Sequence, residues 1–206
     1  MSIKNDKKMN VSLFNHPKSD STLTALILVL IATFVLAFQD SLVKLMSSDT
    51  SFWQFQTLRS FGNLSFVLIL AMVSGGINLL VPKNWKAVYL RSIFLLLCMF
   101  FFFAGAPFLT VAQMAAGLYT YPLFISLLAG PILGEKVGVW RYGALALGAI
   151  GSSLVLSPWS NDFSTVQLLP IIAGFFYGAN ILTIRKACRN ESPLALAFAA
   201  GLGFLI

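Results

Sequence analysis

Three ionisable side chains, Asp40, Lys44 and Arg59, lie in stretches otherwise apolar enough to cross a lipid bilayer. A charge at the centre of a membrane helix costs about 2.5–3.5 kcal/mol on the insertion scale, so such residues face protein or line a water-filled space. Asp40 and Lys44 are spaced i,i+4 and share one helix face. Arg59 comes about seven residues into the next apolar segment, roughly 10 Å below its outer end at 1.5 Å per residue. Asp40 is about six residues from the outer end of its own segment, roughly 9 Å deep. A short loop joins the two segments and makes them antiparallel neighbours, so the carboxylate and the guanidinium share a depth. Two roles fit this cluster. It is either a cavity whose surplus positive charge recognises a carboxylate or other anionic group, or a structural ion pair with long side chains snorkelling outward.

Further polar groups lie on later apolar segments. Gln113, Gly117 and Thr120 share one helix face, flanked by Tyr119 and Tyr121, and Pro122 then removes a backbone donor. The carbonyl it frees is tolerated only beside protein or water. Tyr177 and Asn180 sit near Gly174 and Gly178, with Pro170 offering a second break. Helices broken near the middle of a membrane point to a binding site. Each tyrosine alone fits equally as packing with a bonded hydroxyl or as an interfacial anchor, and some of Tyr119, Tyr121 and Tyr177 are expected to line the cavity. Catalysis lacks its parts: the one histidine, His16, precedes the first apolar segment, and Asp40 is the sole acid within a span. Cys98 and Cys188 form no CxxC or metal-ligand spacing, and the run Phe100–Phe103 carries no cofactor signal. The reading is therefore no enzyme, no metal and no cofactor.

These side chains have to be positioned by helices in lipid. Of the 206 residues, 58% are hydrophobic and 10% charged, far below the roughly 25% charge of a soluble domain. The net charge of +7 does not indicate nucleic acid, because the basic residues are scattered over short loops and form no stripe. A helical crossing takes about 20 apolar residues. Uncharged runs predict six crossings, at 22–46, 53–74, 88–107, 111–132, 138–156 and 165–185, with a seventh beginning near Pro193 and too short to finish. The long run 92–134 is divided near Pro107. Residues 1–21 are polar and lack the small-residue cleavage site of a signal peptide, so they read as a cytoplasmic tail.

Orientation follows from the cations. Lys4, Lys7, Lys8 and Lys18 precede the first span; Lys83, Lys86 and Arg91 fall at the second loop and the start of the next helix; Lys136 and Arg141, then Arg185, Lys186 and Arg189, mark later loops. All fall on one face, while Asp49 and Asp162 are the only charges on the opposite loops. Excess Lys and Arg mark the cytoplasmic side, so the N-terminus is expected inside. Trp53, Trp85, Trp140 and Trp159 fall near helix ends, as interfacial anchors do. Ala144, Gly148 and Ser152 form a small-xxx-small series expected to allow close helix approach. Glu135 and Lys136 fall in a solvated turn that Glu135 is expected to hold.

A constant offset carries Ile31-Ala32 onto Ile172-Ala173, Phe34 onto Phe175, Gln39 onto Asn180, Lys44 onto Arg185 and Ser51 onto Ser192. Five crossings separate the copies, so they run in opposite directions, as in the inverted repeats of secondary transporters.

The stretches Asp40-Ser-Leu-Val-Lys44 and Trp53-Gln-Phe-Gln-Thr-Leu-Arg59, and Arg91 at the head of the third span, resemble the opening of the EamA-type drug/metabolite transporter superfamily. Tyr121-Pro122-Leu-Phe124 through Pro131-Ile-Leu-Gly134-Glu135, Trp140-Arg141 and the glycines Gly148 and Gly151 are similar to its fourth and fifth helices. The resemblance implies an all-α, polytopic membrane bundle built as a five-helix inverted repeat, ten helices in full. Residues 22–156 would be the first repeat and 165–206 the start of a second, incomplete one. It also implies transport of small organic metabolites by alternating access, in a bacterial cytoplasmic (inner) membrane. The candidate cavity residues are Asp40, Arg59, Gln113, Thr120, Tyr119, Tyr121, Tyr177 and Asn180; Lys44, Pro107, Pro122, Gly148, Gly151 and Glu135 are expected to be structural. The surplus cation points to carboxylate-bearing solutes such as amino acids. Two alternatives stay open: a split or truncated half-transporter, inactive without a second copy or a C-terminal half, and a membrane channel. The partners expected are a small-molecule substrate and bilayer lipid, with no nucleic acid.

Overall fold

The computed structural model describes residues 22–46, 49–74, 76–135, 138–160 and 163–204, and these are helical without a strand. Lys4, Lys7, Lys8, His16, Lys18, Lys136 and Asp162, and the whole stretch 1–21, lie outside the described residues. The helices are α1 (Thr22–Met46), α2 (Phe52–Ser74), α3 (Trp85–Gly105), α4 (Val111–Leu118), α5 (Tyr121–Leu133), α6 (Val139–Leu156), α7 (Leu169–Ala187) and α8 (Pro193–Gly203), with short 3₁₀ turns at Ile77–Leu80 and Thr165–Leu168. Among the described residues six helices are long and apolar enough to cross a membrane, α4 and α5 together making one of them.

Local chemistry sets the ends. Asn84 caps α3 by accepting from the Ala87 N–H, and Ser192 caps α8 by accepting from the Leu194 N–H. The third span accordingly begins at Trp85 and not near residue 88. Gly134, at φ 70°, closes α5 by donating to Gly130 O while Glu135 N–H reaches Ala129 O, a left-handed cap that suits glycine. Glu191 reaches back to the start of α3 and accepts from the N–H groups of Lys83 (2.9 Å) and Asn84 (2.7 Å).

At the centre of the bundle is α7, packed most extensively on α3 and then on α5 and α4. Lipid tails are as apolar as leucine, so contact between membrane helices rests on close packing and hydrogen bonds. The break between α4 and α5 shows both. Pro122 has no N–H for the Leu118 carbonyl, and the chain passes through Tyr119 and Thr120 out of helix. The freed turn lies against Gly174, where a Cβ would meet Leu118 O at 2.8 Å and Thr120 Oγ1 at 2.9 Å. Gly117 presses in the same way on Pro170.

Close approach is thus supplied by Gly117 and Gly174, and the expectation for α6 is corrected. A Cβ on Gly148 would make ordinary contact with Leu123, and one on Gly151 would meet nothing within 4 Å. The reason is position: α6 lies at the edge of the bundle and all but a few of its residues are exposed.

Helix α1 is also peripheral. Residues 22–38 are exposed on every side, and only its last third touches the bundle, around buried Val43. Thr33 and Ala37, on the same helix face as Asp40 and Lys44, are exposed, and Thr33 Oγ1 folds back to the carbonyls of Val29 and Leu30. Beneath that last third, Val43, Cys98, Phe102, Phe103, Met114 and Ala173 form the main apolar cluster. The rings of Phe52 and Phe55 pack on Phe103.

Candidate functional site

Lys44 and Arg59, the two cations set apart by the sequence, do different work. Lys44 Nζ donates to Ala106 O at 2.6 Å and to Pro107 O at 3.3 Å, carbonyls just past the C-terminus of α3. A cation there meets the negative end of the helix dipole. This fastens the outer part of α1, and Pro107 takes part through its backbone. The i,i+4 pair of Asp40 and Lys44 is not closed: among the described residues, the ion pair within 4 Å joins Glu135 and Arg185. Glu135 thus reaches across to α7.

Arg59 enters the bundle. Its Nη1 lies 3.1 Å from Met99 Sδ, and its side chain borders two adjoining spaces that also share Gln39. The smaller, about 20 Å³, holds Asp40, Gln56 and Met99 beside the rings of Phe52 and Phe55. Asp40 and Arg59 face each other there within electrostatic reach, but close no ion pair within 4 Å.

The larger space, about 330 Å³, opens between α1, α2, α3 and α8. Its polar walls are Gln39, Arg59, Ser60, Asn63 and Arg91, and α8 supplies Ala197, Ala200 and Phe204 as an apolar side. A volume in the lower part of the 300–1,000 Å³ range, apolar on one side with a few convergent polar groups, is typical of a small-molecule site. Asn63 Nδ2 donates to Ala197 O (3.1 Å) and Arg91 Nη1 to Leu196 O (2.7 Å), which pins α8 across the opening. Three buried polar atoms around the two spaces find no hydrogen-bond partner: Gln56 Nε2, Ser60 Oγ and Arg91 Nε.

The tyrosines cluster at the α4–α5 break and on α7. Tyr121 and Tyr177 meet edge to face with ring centroids 4.9 Å apart, and Tyr119 lies 6.5 Å from Tyr121. Tyr119 is within electrostatic reach of Asp40, and Tyr177 of Arg91. Asp40 and Arg59 thus share the smaller space, while Tyr119, Tyr121 and Tyr177 border neither it nor the larger one.

Three expected residues fall elsewhere. Gln113 is taken up by the cap of α4, where its Oε1 accepts from Thr110 N–H and its own N–H donates to Thr110 Oγ1; it lines a separate space of about 490 Å³ near Ser157 and Gln167. Thr120 donates to Gly117 O at 2.6 Å and is buried in the helix break. Asn180 is buried on α7 and borders none of these spaces. Pro122, by contrast, sits in the break it was expected to cause.

Arg91 is the residue that loop counting hid. It lies six positions into α3, roughly 9 Å along the helix at 1.5 Å per residue. Asn84 before Trp85 is a capping signal that would have placed it inside. Gln56, Ser60 and Asn63 recur on one face of α2 at i, i+4 and i+7, a polar stripe equally visible in the sequence.

A space of about 570 Å³ opens at the other helix ends, bordered by Glu135, Arg185, Cys188, Arg189 and Glu191. Both of its carboxylates already serve as struts, Glu135 to Arg185 and Glu191 to the start of α3. Among the described residues no group of three His, Cys, Asp or Glu could hold a metal ion.

Apolar helices of spanning length around a polar interior define an integral membrane protein of the helical-bundle class. Residues 23–157 match the model of the EamA-like transporter family, and the chain belongs to that family. Among curated proteins it is similar to a riboflavin transporter of Vibrio cholerae, 41% identical over 81 residues, which are 39% of this chain and 27% of the relative. It is 36% identical over 90 residues to a riboflavin transporter of Rhizobium johnstonii, 44% of this chain and 30% of that one. A riboflavin transporter of Brucella anthropi is 31% identical over 85 residues, 41% of this chain and 30% of the relative. The matched stretches thus span less than a third of each relative's length. No solved structure matches significantly.

Proposed function

We propose that this chain forms the solute-binding part of a secondary carrier that moves a small organic solute by alternating access, with riboflavin as the leading substrate. The observation that carries this reading is the 330 Å³ polar space bounded by Arg59, Arg91, Gln39 and Asn63 within a membrane bundle. The names of the relatives point to riboflavin. Its ring offers two carbonyl acceptors to guanidinium donors, and its hydroxylated chain offers partners to amides. A second reading, a carboxylate-bearing solute, is favoured by the two guanidiniums on the larger space, whose lining carries no carboxylate, Asp40 bordering only the smaller one.

The inner membrane and a cytoplasmic N-terminus complete the proposal. The orientation is supported by the basic loops, since Lys83, Arg185 and Arg189 gather at one end of the bundle around Glu191 and its neighbours. An inverted repeat that begins again at α7 is supported by Lys44 and Arg185. These offset-matched cations engage helix-end groups at opposite ends of the bundle. The bare inner two thirds of α1 favours a working assembly in which further helices cover it.

Uptake by proteoliposomes carrying the chain tests the reading, with riboflavin and with succinate. Riboflavin should accumulate, and Arg59→Ala should cut the rate about tenfold or more, the loss expected for one charge-assisted hydrogen bond, without reducing membrane insertion. Uptake of both solutes equal to that of empty liposomes would sink the proposal.

A further inference from the structure

We propose that Arg59 and Arg91 form a two-guanidinium clamp for the acceptor-bearing head of the transported solute, a carbonyl pair or a carboxylate, with Ser60 Oγ as a third donor. The proposal rests on reading the larger space as the solute site, and it assigns a role to Arg91 and Ser60.

Arg91 is a charge held well inside a membrane helix, where it needs a reason. Among the described residues its direct bond, Nη1 to Leu196 O, uses a single donor of the five that a guanidinium carries. Nε is buried and unpaired, and no carboxylate closes an ion pair with Arg91 among the described residues. If Arg91 served only to hold α8, a shorter neutral donor would do the same, as Asn63 does one carbonyl further on.

Ser60 carries the second observation. Hydroxyls on these helices ordinarily bond back to a carbonyl four residues earlier, as Ser41, Ser65, Ser92 and Thr183 do. Ser60 does not, although it is 1% exposed, and its Oγ has no partner. It borders the same space as the two arginines. A buried donor left unpaired keeps its full desolvation penalty, and an acceptor placed in the space would satisfy Ser60 and Arg91 together. Phe204, Ala197 and Ala200 face the polar wall, which suits an acceptor-rich head on an apolar or aromatic body.

Equilibrium binding to the full chain in lipid nanodiscs provides the test, with two fluorescent probes, riboflavin and 2-naphthoate. Wild type should bind riboflavin. Arg91→Ala should weaken binding about tenfold or more, and Arg91→Lys should not restore it, because an ammonium cannot donate as a planar fork. Lumichrome, which keeps the ring dione and lacks the hydroxylated chain, should compete, and ribitol should not. Equal riboflavin affinity in wild type and Arg91→Ala overturns the clamp and leaves the flavin reading standing. Naphthoate binding that Arg91→Ala abolishes, with no riboflavin binding, supports the clamp and overturns the flavin reading. Binding of neither probe to wild type overturns both. Should Arg91→Ala fail to give a monodisperse protein, Ser60→Ala takes its place, and unchanged affinity for the bound probe in that variant overturns the clamp.

Discussion

Lys44 Nζ lies 2.6 Å from the carbonyl oxygen of Ala106, so the last third of α1 is fastened to the turn that follows α3. The contact places a cation on carbonyls left without partners by the end of a helix. Lys44→Met keeps the stem of the side chain and removes the donor. A hydrogen bond to a charged group contributes about 1.5–3 kcal/mol, and each kcal/mol shifts a melting temperature by about 2–4 °C at this chain size. The melting temperature in detergent should therefore fall by several degrees. An unchanged melt would show that the contact carries no stability.

Gly174 and Gly151 form a matched pair of glycines with opposite surroundings. Alanine at Gly174 would drive a methyl group to within 2.8 Å of Leu118 O, backbone that Pro122 has already deprived of its helical partner. Overpacking of this kind costs about 1–3 kcal/mol. Gly151→Ala meets nothing within 4 Å and gains helix propensity. The expected order of thermal stability is Gly151→Ala at or above wild type, with Gly174→Ala clearly below it. The reverse order would mean that the α4–α5 break does not rest on α7.

Cys188 reports on the other end of the bundle. Burial, and next the nearby Glu191, hold its thiol above the ordinary cysteine value, with Arg91 opposing in part. A raised thiol is protonated at neutral pH, and the thiolate is the nucleophile. In a Cys98→Ser background, iodoacetamide should therefore label Cys188 slowly at pH 7, and faster as pH rises past the ordinary thiol range. Labelling as fast as that of free cysteine at pH 7 would contradict this.

Glu135 and Arg185 border the same space as Cys188. Their pair is more than a third exposed on both sides, so its contribution to stability is about 1 kcal/mol or less. Its effect should lie in access: Arg185→Gln should raise the labelling rate of Cys188 several-fold with little change in melting. Equal labelling would show that the pair does not close that end.

The helices were legible in the sequence to within a few residues, including the break before Pro122. Apolar length, proline and capping residues are local signals, and a bilayer leaves the backbone little alternative to helix. The site was legible only in part. Asp40 and Arg59 are conspicuous as charges in apolar segments and border adjoining spaces; Tyr119, Tyr121 and Tyr177 are as conspicuous but border neither. Gln113 and Thr120 were misassigned because a capping box and a back-bonded hydroxyl absorb polar groups in the local backbone. Counting Arg91 with the loops hid its place in α3. The series Ala144, Gly148 and Ser152 signals close approach, but small residues permit it without requiring it, and a Cβ on Gly148 would make only ordinary contact.

The sequence by itself determined the membrane class, the apolar segments of spanning length and the family, because each depends on composition along a single dimension. The tertiary structure alone decided which polar groups share a space. That depends on how each helix is rotated about its axis and which neighbour it leans on, and here the choice was made by α7. Its Gly174 admits the broken α4–α5 segment, while on the other side of the bundle Arg91 and Asn63 hold α8 over the space that Arg59 enters.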